Sequence, residues 1–350
     1  MNSITKWINF VVKRGVESLD VCLITNWKTV GYLIKLPISI VTCKTLVVLK
    51  LYSFDVEKGF TSVVLPSLKV LELQQIRFPK LRDFMLFLTA CPILEDIIIY
   101  DLYFKSEESL TCDEWNSFCL SNLKIAQIDC FHRHLTLKAV QNVPSLRFEI
   151  EPVNCRNDFI PTFHNLTQLE LDSLDYNWQF LLQVLNHCPK LQKLEVDEAD
   201  TCEVTWTRKD DREKWVNPDF VPQCLSLHLR TCNLLNFLGL KGELQLARYI
   251  LKNAKVLQNM RICNRRRQPK IYKLLSSCPK ASPTCKLTFT HYSFKKTTKK
   301  NNSDDDDDDD DDDSNDSSDD DDDDDDSDDS SDDDDDDSDD DDDSDDEDDD

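Results

Sequence analysis

Apolar residues fall at Leu166, Leu169, Leu171 and Leu174, and the same L-x-x-L-x-L-x-x-φ spacing, φ being apolar, returns along most of the chain. Close copies begin at Leu68 (then Leu71, Leu73, Ile76) and at Leu94 (then Ile97, Ile99, Leu102). Others begin at Val16, Leu46, Leu123, Val143 and Leu191, so successive copies start 30, 22, 26, 29, 20, 23 and 25 residues apart. The L-x-L centre alternates as a strand does, with both apolar side chains on one face and the residue between them on the other. A lone strand of this kind cannot cover its apolar face. At a period of roughly 20 to 29 residues, stacked units cover it for one another. The pattern therefore predicts an α/β leucine-rich-repeat solenoid, a curved parallel β-sheet with helices and loops on its convex side.

Between copies the period changes to that of a helix, as at Leu81, Phe84, Met85 and Leu88 and at Phe180, Leu181, Val184 and Leu185. Both stretches stop at Cys-Pro, Cys91-Pro92 and Cys188-Pro189, where proline ends the last turn. At the N-terminus Ile4, Trp7, Ile8 and Val11 predict a short helix over 1–15 that caps the open end of the stack. The repeats occupy 16–205. The run Arg208 to Lys214 is wholly charged and reads as an exposed loop. The phrase resumes at Cys224, Leu227, Leu229 and Cys232 and at Leu257, Met260 and Ile262, with a helix between them through Leu244, Ala247, Ile250, Leu251 and Ala254. Gly239 and Gly242 precede that helix where the chain must reverse. Thr284, Leu287 and Phe289 mark a closing strand, so 206–292 is a second segment that continues and closes the stack.

Charge changes this picture at one end. Of the 68 acidic side chains, 37 Asp and one Glu lie between Asp304 and Asp350, which leaves 30 against 41 basic ones in the first 303 residues. A mildly basic body thus carries an acidic tail. The tail, 293–350, cannot bury apolar surface and is expected to be disordered. Near-pure Asp needs only a repeated codon, the reading we favour over an acidic solubilising arm or a series of kinase sites at Ser314, Ser327 and Ser338. The 14 cysteines include no C-x-x-C pair and read as reduced thiols of a cytoplasmic or nuclear protein. No apolar run reaches the roughly 18 to 20 residues needed to cross a membrane.

Enzymatic motifs are missing: there is no Gly-rich phosphate loop, G-x-S-x-G or H-E-x-x-H among these residues. Neither a catalytic function nor a cofactor is expected. Cys130, His132 and His134 lack the further ligand a metal site requires, so no metal is expected either. The basic groups Arg265, Arg266, Arg267 and Lys270, with Lys295, Lys296, Lys299 and Lys300, read as solvated loops rather than as a nucleic-acid surface. What the repeats do offer is a row of side chains between the buried leucines, on the concave face. There the candidate partner-binding residues are Tyr52, Glu72, Gln74, Ile98, Tyr100, Gln127, Glu170, Asp172, Glu195, Asp197, His228 and Arg261, acidic in the middle and basic towards the end. Ile98 and Tyr100, beside Tyr52, point to a protein partner, since a solvated face has no need of them.

The segments Leu65-Pro66-Ser67-Leu68-Lys69-Val70-Leu71-Glu72-Leu73 and Cys91-Pro92-Ile93-Leu94-Glu95 resemble the repeat region of plant F-box/LRR/FBD proteins. The FBD domain of that family is resembled closely from Trp215 to Ile262, through Val221-Pro222-Gln223-Cys224-Leu225, Gly239-Leu240-Lys241-Gly242-Glu243 and Ala247-Arg248-Tyr249-Ile250-Leu251. The resemblance covers roughly Trp7 to Phe289 and implies the substrate-recognition part of an SCF-type ubiquitin ligase receptor. An F-box needs perhaps 40 to 50 residues ahead of the repeats, and about fifteen precede Val16. The F-box, and with it a hold on the Skp-type linker of cullin ligases, is therefore expected to be absent. The alternative is an acidic-tailed nuclear binder of basic proteins such as histones.

Overall fold

The computed structural model describes residues 3–23, 33–106, 118–129, 137–149, 160–172, 177–198, 215–264 and 268–291. The chain forms two units, Met1–Lys295 and Lys296–Asp350, and every described residue belongs to the first. Outside the described residues lie the acidic tail, the Arg208–Lys214 run, Cys130, His132, His134, Arg265–Arg267 and Leu174.

The strands are β1 (Ser18–Cys22), β2 (Ile34–Lys35), β3 (Val48–Tyr52), β4 (Phe54–Asp55), β5 (Val70–Phe78), β6 (Asp96–Phe104), β7 (Ile125–Ile128), β8 (Ser145–Glu149), β9 (Gln168–Asp172), β10 (Lys193–Asp197), β11 (Thr231–Leu235), β12 (Asn259–Asn264) and β13 (Lys286–His291). They form one sheet in the order β1-β3-β5-β6-β7-β8-β9-β10-β11-β12-β13, with β4 also pairing β5 and β2 pairing β4. Every recorded pairing in it is parallel, so the strands follow one another in chain order as a solenoid requires.

The strands β1, β3 and β7–β10 bury alternate residues, as do β5 and β6 in their first halves. In register these make two core rows, one running through Leu49, Leu71, Ile97, Ala126, Leu146, Leu169 and Leu194, the other through Leu51, Leu73, Ile99, Ile128, Phe148, Leu171 and Val196. All fourteen are at most 3% exposed. The L-x-L centre is therefore the cross-section of a continuous core. The next apolar position needs a different device, because strict alternation would turn φ outward. A left-handed residue restores it: Ser53 (φ 65°), Gln75 (φ 54°) and Asp101 (φ 53°) stand at the same point of three successive units. Each flips the phase so that Phe54, Ile76 and Leu102 turn inward. Ser53 Oγ donates to Gln75 Oε1 at 2.9 Å, linking two of these corners.

The units are also joined at strand entry. Two successive N–H groups converge on one carbonyl of the preceding unit, as Lys69 and Val70 on Val47 (2.9 and 3.1 Å) and Gln192 and Lys193 on Thr167 (2.8 and 2.9 Å). Arg230 and Thr231 on Gln192 and Gln258 and Asn259 on Arg230 repeat the pattern. The stacking thus continues without change past the end of the first repeats.

The helices cover one face. They are α1 (Ser3–Lys13), α2 (Leu81–Thr89), α3 (Trp178–Asn186), α4 (Gln223–Leu227), α5 (Lys241–Asn253) and α6 (Pro269–Ser276). Cys91 and Cys188 follow α2 and α3 and are buried, and burial pushes the Cys91 thiol up to about 12. A thiol held neutral in this way is a small packing group. Ten free cysteines stand among the described residues.

The start of α5 explains both of its glycines. Gly239 has φ +80°, and a Cβ there would clash with Ile271 Cδ1; at Gly242 it would clash with Trp178 Nε1. Glu243, 2% exposed, accepts from the N–H of Leu240 at 2.7 Å and of Leu238 at 3.1 Å. A buried carboxylate at a helix start satisfies donors that would otherwise be orphaned.

One strand sits where the repeat phrase misplaces it. Cys224 and Leu225 lie in α4, and the strand of that unit is Thr231–Leu235, with Cys232 and Leu234 in the core rows. The phrase that folds is Leu229, Cys232, Leu234 and Phe237, shifted five residues. Pro222 sets the chain for a helical turn, which takes Cys224 and Leu225 out of the strand.

Candidate functional site: the open face of the sheet

The face opposite the helices carries the residues between the core positions. Register places Asp20, Lys50, Glu72, Ile98, Gln127, Arg147, Glu170, Glu195, Asn233 and Arg261 in one row. Beside it runs a second row, Cys22, Tyr52, Gln74, Tyr100, then Glu149, Asp172, Asp197 and Leu235, with Asp129 following Ile128 between Tyr100 and Glu149.

Eleven of the twelve residues named from sequence stand on this face. The exception is His228, which ends α4 off the sheet because the strand of its unit begins at Thr231. With it goes the expected basic end: the C-terminal units present Asn233, Leu235 and Arg261. Ile98 and Tyr100 are half-buried rather than exposed, and Gln74 separates Tyr52 from Tyr100. Arg147, Glu149 and Asn233 also belong to the face. The first two were legible as the residues either side of Phe148; Asn233 was hidden by the five-residue shift.

Contacts between neighbouring strands hold these side chains. Lys50 Nζ lies 2.8 Å from Glu72 Oε2, and Tyr100 OH donates to Gln127 Oε1 at 3.0 Å. Arg147 Nε donates to Asp172 Oδ2 at 2.6 Å, diagonally across one strand interval. Lys193 Nζ reaches Glu170 Oε1 at 2.8 Å and Glu195 Oε2 at 3.5 Å. Asn233 Nδ2 donates to Glu195 Oε2 at 2.7 Å and Asn236 Nδ2 to Asp197 Oδ1 at 2.5 Å. Pairs this exposed contribute roughly 0 to 1 kcal/mol each, so they order the face more than they stabilise the fold.

Carboxylates outnumber cations over β7–β10. Asp129, Glu149, Glu170, Asp172, Glu195 and Asp197 surround Arg147 and Lys193. Partial burial, and then the charges of Glu149, Asp101 and Asp172, push the Asp129 carboxyl up to about 7. Asp172 is also raised, by burial first, which outweighs the ion pair with Arg147. Excess negative charge at one place is what a cationic group would relieve.

The cleft between β1, β3 and β5, lined by Asp20, Cys22, Lys50, Tyr52, Glu72 and Gln74, holds about 280 Å³, below the roughly 300 to 1,000 Å³ usual for a ligand pocket. Among the described residues no group of three or more His, Cys, Asp or Glu is arranged to hold a metal ion. No described helix is long and apolar enough to cross a membrane.

A parallel sheet built one strand per unit, with its apolar face under helices and its other face open, defines a leucine-rich-repeat protein. Comparison with known proteins narrows that class. A family model for the leucine-rich repeats of the FBD-associated F-box protein At5g56370 matches residues 4–149, and the FBD family model matches residues 217–262. Curated relatives from Arabidopsis thaliana include the FBD-associated F-box protein At5g56370, 27% identical over 341 residues, which cover 81% of this chain and 78% of the relative. The putative FBD-associated F-box protein At5g56820 is 29% identical over 307 residues, with 74% and 70% covered, and the F-box/FBD/LRR-repeat protein At4g00160 is 25% identical over 337 residues, with 81% and 74% covered. No solved structure matches. The chain is thus similar to plant F-box/LRR/FBD proteins in its repeat and FBD regions.

The FBD match spans the shifted strand, α5 and β12, so its glycines and Glu243 are the turn described above. It is tied down by Tyr249, whose OH donates to the Phe220 carbonyl at 2.9 Å and whose ring lies 5.6 Å from that of Trp215.

Proposed function

We propose that the open face of the sheet is a recognition surface for a segment of a protein partner, and that the chain acts as the substrate-receptor part of an F-box-type, SCF-type ubiquitin ligase. The observation that carries this reading is the continuity of the face. Across β3–β10 one register brings aromatic, amide and charged side chains into two adjoining rows, half-buried and mutually bonded. Such a surface is preorganised for a partner, because little side-chain freedom remains to be lost on binding. The F-box names of the relatives supply the ligase context. The chain on this reading is not an enzyme, and it works in the cytoplasm or nucleus.

The experiment is comparative affinity purification from plant cells of the wild-type chain and a Tyr100→Ala/Arg147→Ala/Glu170→Lys variant, with and without a proteasome inhibitor. Proteins that accumulate with the inhibitor and are lost on the variant support a substrate receptor. Equal recovery on both chains overturns it. Recovery of the Skp-type linker reports separately on whether the ligase is engaged.

The carboxylates over β7–β10 favour a second reading, a binder of basic proteins outside any ligase. It is distinguished by captured proteins rich in Lys and Arg whose level ignores the inhibitor and whose binding weakens steeply with salt.

A further inference from the structure

The cleft between β1, β3 and β5 is smaller than a small-molecule pocket and has room for one long side chain. Register sets Asp20, Lys50 and Glu72 side by side along it, with Cys22, Tyr52 and Gln74 in the adjoining row. Two carboxylates there face one ammonium. Lys50 Nζ is engaged with Glu72 Oε2 at 2.8 Å, a bond that, with the charges of Glu72 and then Asp20, raises the lysine above its ordinary value. Asp20 is exposed and makes no hydrogen bond or close ion pair among the described residues. In the same two rows the next strand, β6, adds Ile98 and Tyr100, neither of them charged. One carboxylate is therefore left over beside the half-buried Tyr52.

That combination selects by charge. A cation is attracted by the face of an aromatic ring and forms charge-assisted hydrogen bonds to a carboxylate. A carboxylate entering the cleft would have to take Lys50 from Glu72 and would meet Asp20. An apolar side chain would cover Asp20 without giving it a partner, and so would desolvate a charge for nothing in return.

We propose that this cleft takes one basic side chain of the partner segment, its cationic head held by Asp20 and the Tyr52 ring with the Gln74 amide oxygen as a further acceptor. The inference rests on the open face being a recognition surface and gives that surface a specificity position. Arg and Lys share the required charge; the planar guanidinium can also lie on the ring and pair with both carboxylate oxygens, which an ammonium cannot.

Cys22 lines the cleft and is exposed, so its thiol can report on the cleft from within. The full chain is equilibrated with the disulfides of guanidinoethanethiol, cysteamine and mercaptopropionate in a thiol buffer. Exchange joins one probe sulfur to Cys22 Sγ and releases the other as free thiol, so occupancy at equilibrium ranks the three heads. Peptide mass spectrometry reads it at Cys22 and, as reference, at Cys119, exposed in the unit of β7. Cys22 should favour the two cationic probes over the carboxylate at least about tenfold more than Cys119 does. Asp20→Asn and, separately, Tyr52→Ala should each cut that preference by about threefold or more. Asp20→Asn alters an exposed side chain, so it keeps the test valid if Tyr52→Ala fails to fold. Either order of the two cationic probes supports the proposal and tells Arg from Lys. A preference at Cys22 no greater than at Cys119, one that Asp20→Asn leaves unchanged, or a preference for the carboxylate overturns it. Such a result rejects the cleft and leaves the open-face reading standing, whereas equal recovery in the affinity purification rejects the face whatever Cys22 shows.

Discussion

From β3 to β6 the open face carries Tyr52, Gln74, Ile98 and Tyr100 with the Lys50–Glu72 ion pair; from β7 to β10 it carries six carboxylates around Arg147 and Lys193. Beneath both runs the same pair of core rows, joined by the same backbone bonds at strand entry. One half offers rings and amides, the other charge. The difference is confined to the positions that the repeat leaves free. In such a fold the leucines determine where a side chain stands and the intervening residues determine what it recognises, so the two can change independently.

Breaking the shared core should remove the comparison altogether. Leu171, fully buried between β8 and β10, is expected to lose about 2 to 5 kcal/mol of stability as Leu171→Ala, from lost transfer energy and the cavity left behind. Glu170→Ala, one residue away on the open face, should cost less than about 1 kcal/mol. Urea denaturation of the two variants measures the contrast, and similar losses would contradict the division between frame and face.

Arg147 sharpens the acidic half. It lowers both Asp129 and Asp172, so Arg147→Ala should raise the Asp129 midpoint above about 7, followed by carbon-detected NMR of the carboxyl groups. An unmoved midpoint would mean that the charges on this half are not coupled.

Much of this was legible in the chain itself. Leu169 and Leu171, Leu71 and Leu73, Ile97 and Ile99 declare two core positions per strand, and Cys91-Pro92 and Cys188-Pro189 declare the ends of helices. Eleven of the twelve candidate residues were placed on the face by those positions alone. His228 did not, because Cys224-x-x-Leu227-x-Leu229-x-x-Cys232 and Leu229-x-x-Cys232-x-Leu234-x-x-Phe237 satisfy the same spacing. Only the packing of Cys224 and Leu225 in a helix after Pro222 decides between them. Two of the left-handed corners were equally hidden, since Ser53 and Gln75 are not residue types that favour a positive φ, whereas Asp101 is one of them.

The pH dependence separates the halves by a smaller effect. Asp129 holds its proton up to about 7 in the folded chain against 3.8 in an ordinary aspartate. Between those values the folded chain keeps a proton that the unfolded one has released, so stability falls as pH rises through the window and levels off above it. Urea midpoints at pH 4.5 and 7.5 should therefore drop more for the wild type than for Asp129→Asn. Equal drops would remove Asp129 from the account.

The smallest expected change is a gain. Asp101→Gly places glycine where φ is 53° and removes one of the carboxylates acting on Asp129. It should leave stability equal or higher by up to about 1 kcal/mol, read from a thermal melt.

The central claim, that partners are held on the open face of the sheet, is tested most directly by a photo-crosslinking amino acid placed at Gln127 on that face or at Gln183, exposed on α3. Irradiation in plant cells should give discrete adducts from Gln127 and none above background from Gln183. Adducts in equal yield from both positions, or from Gln183 alone, would contradict it.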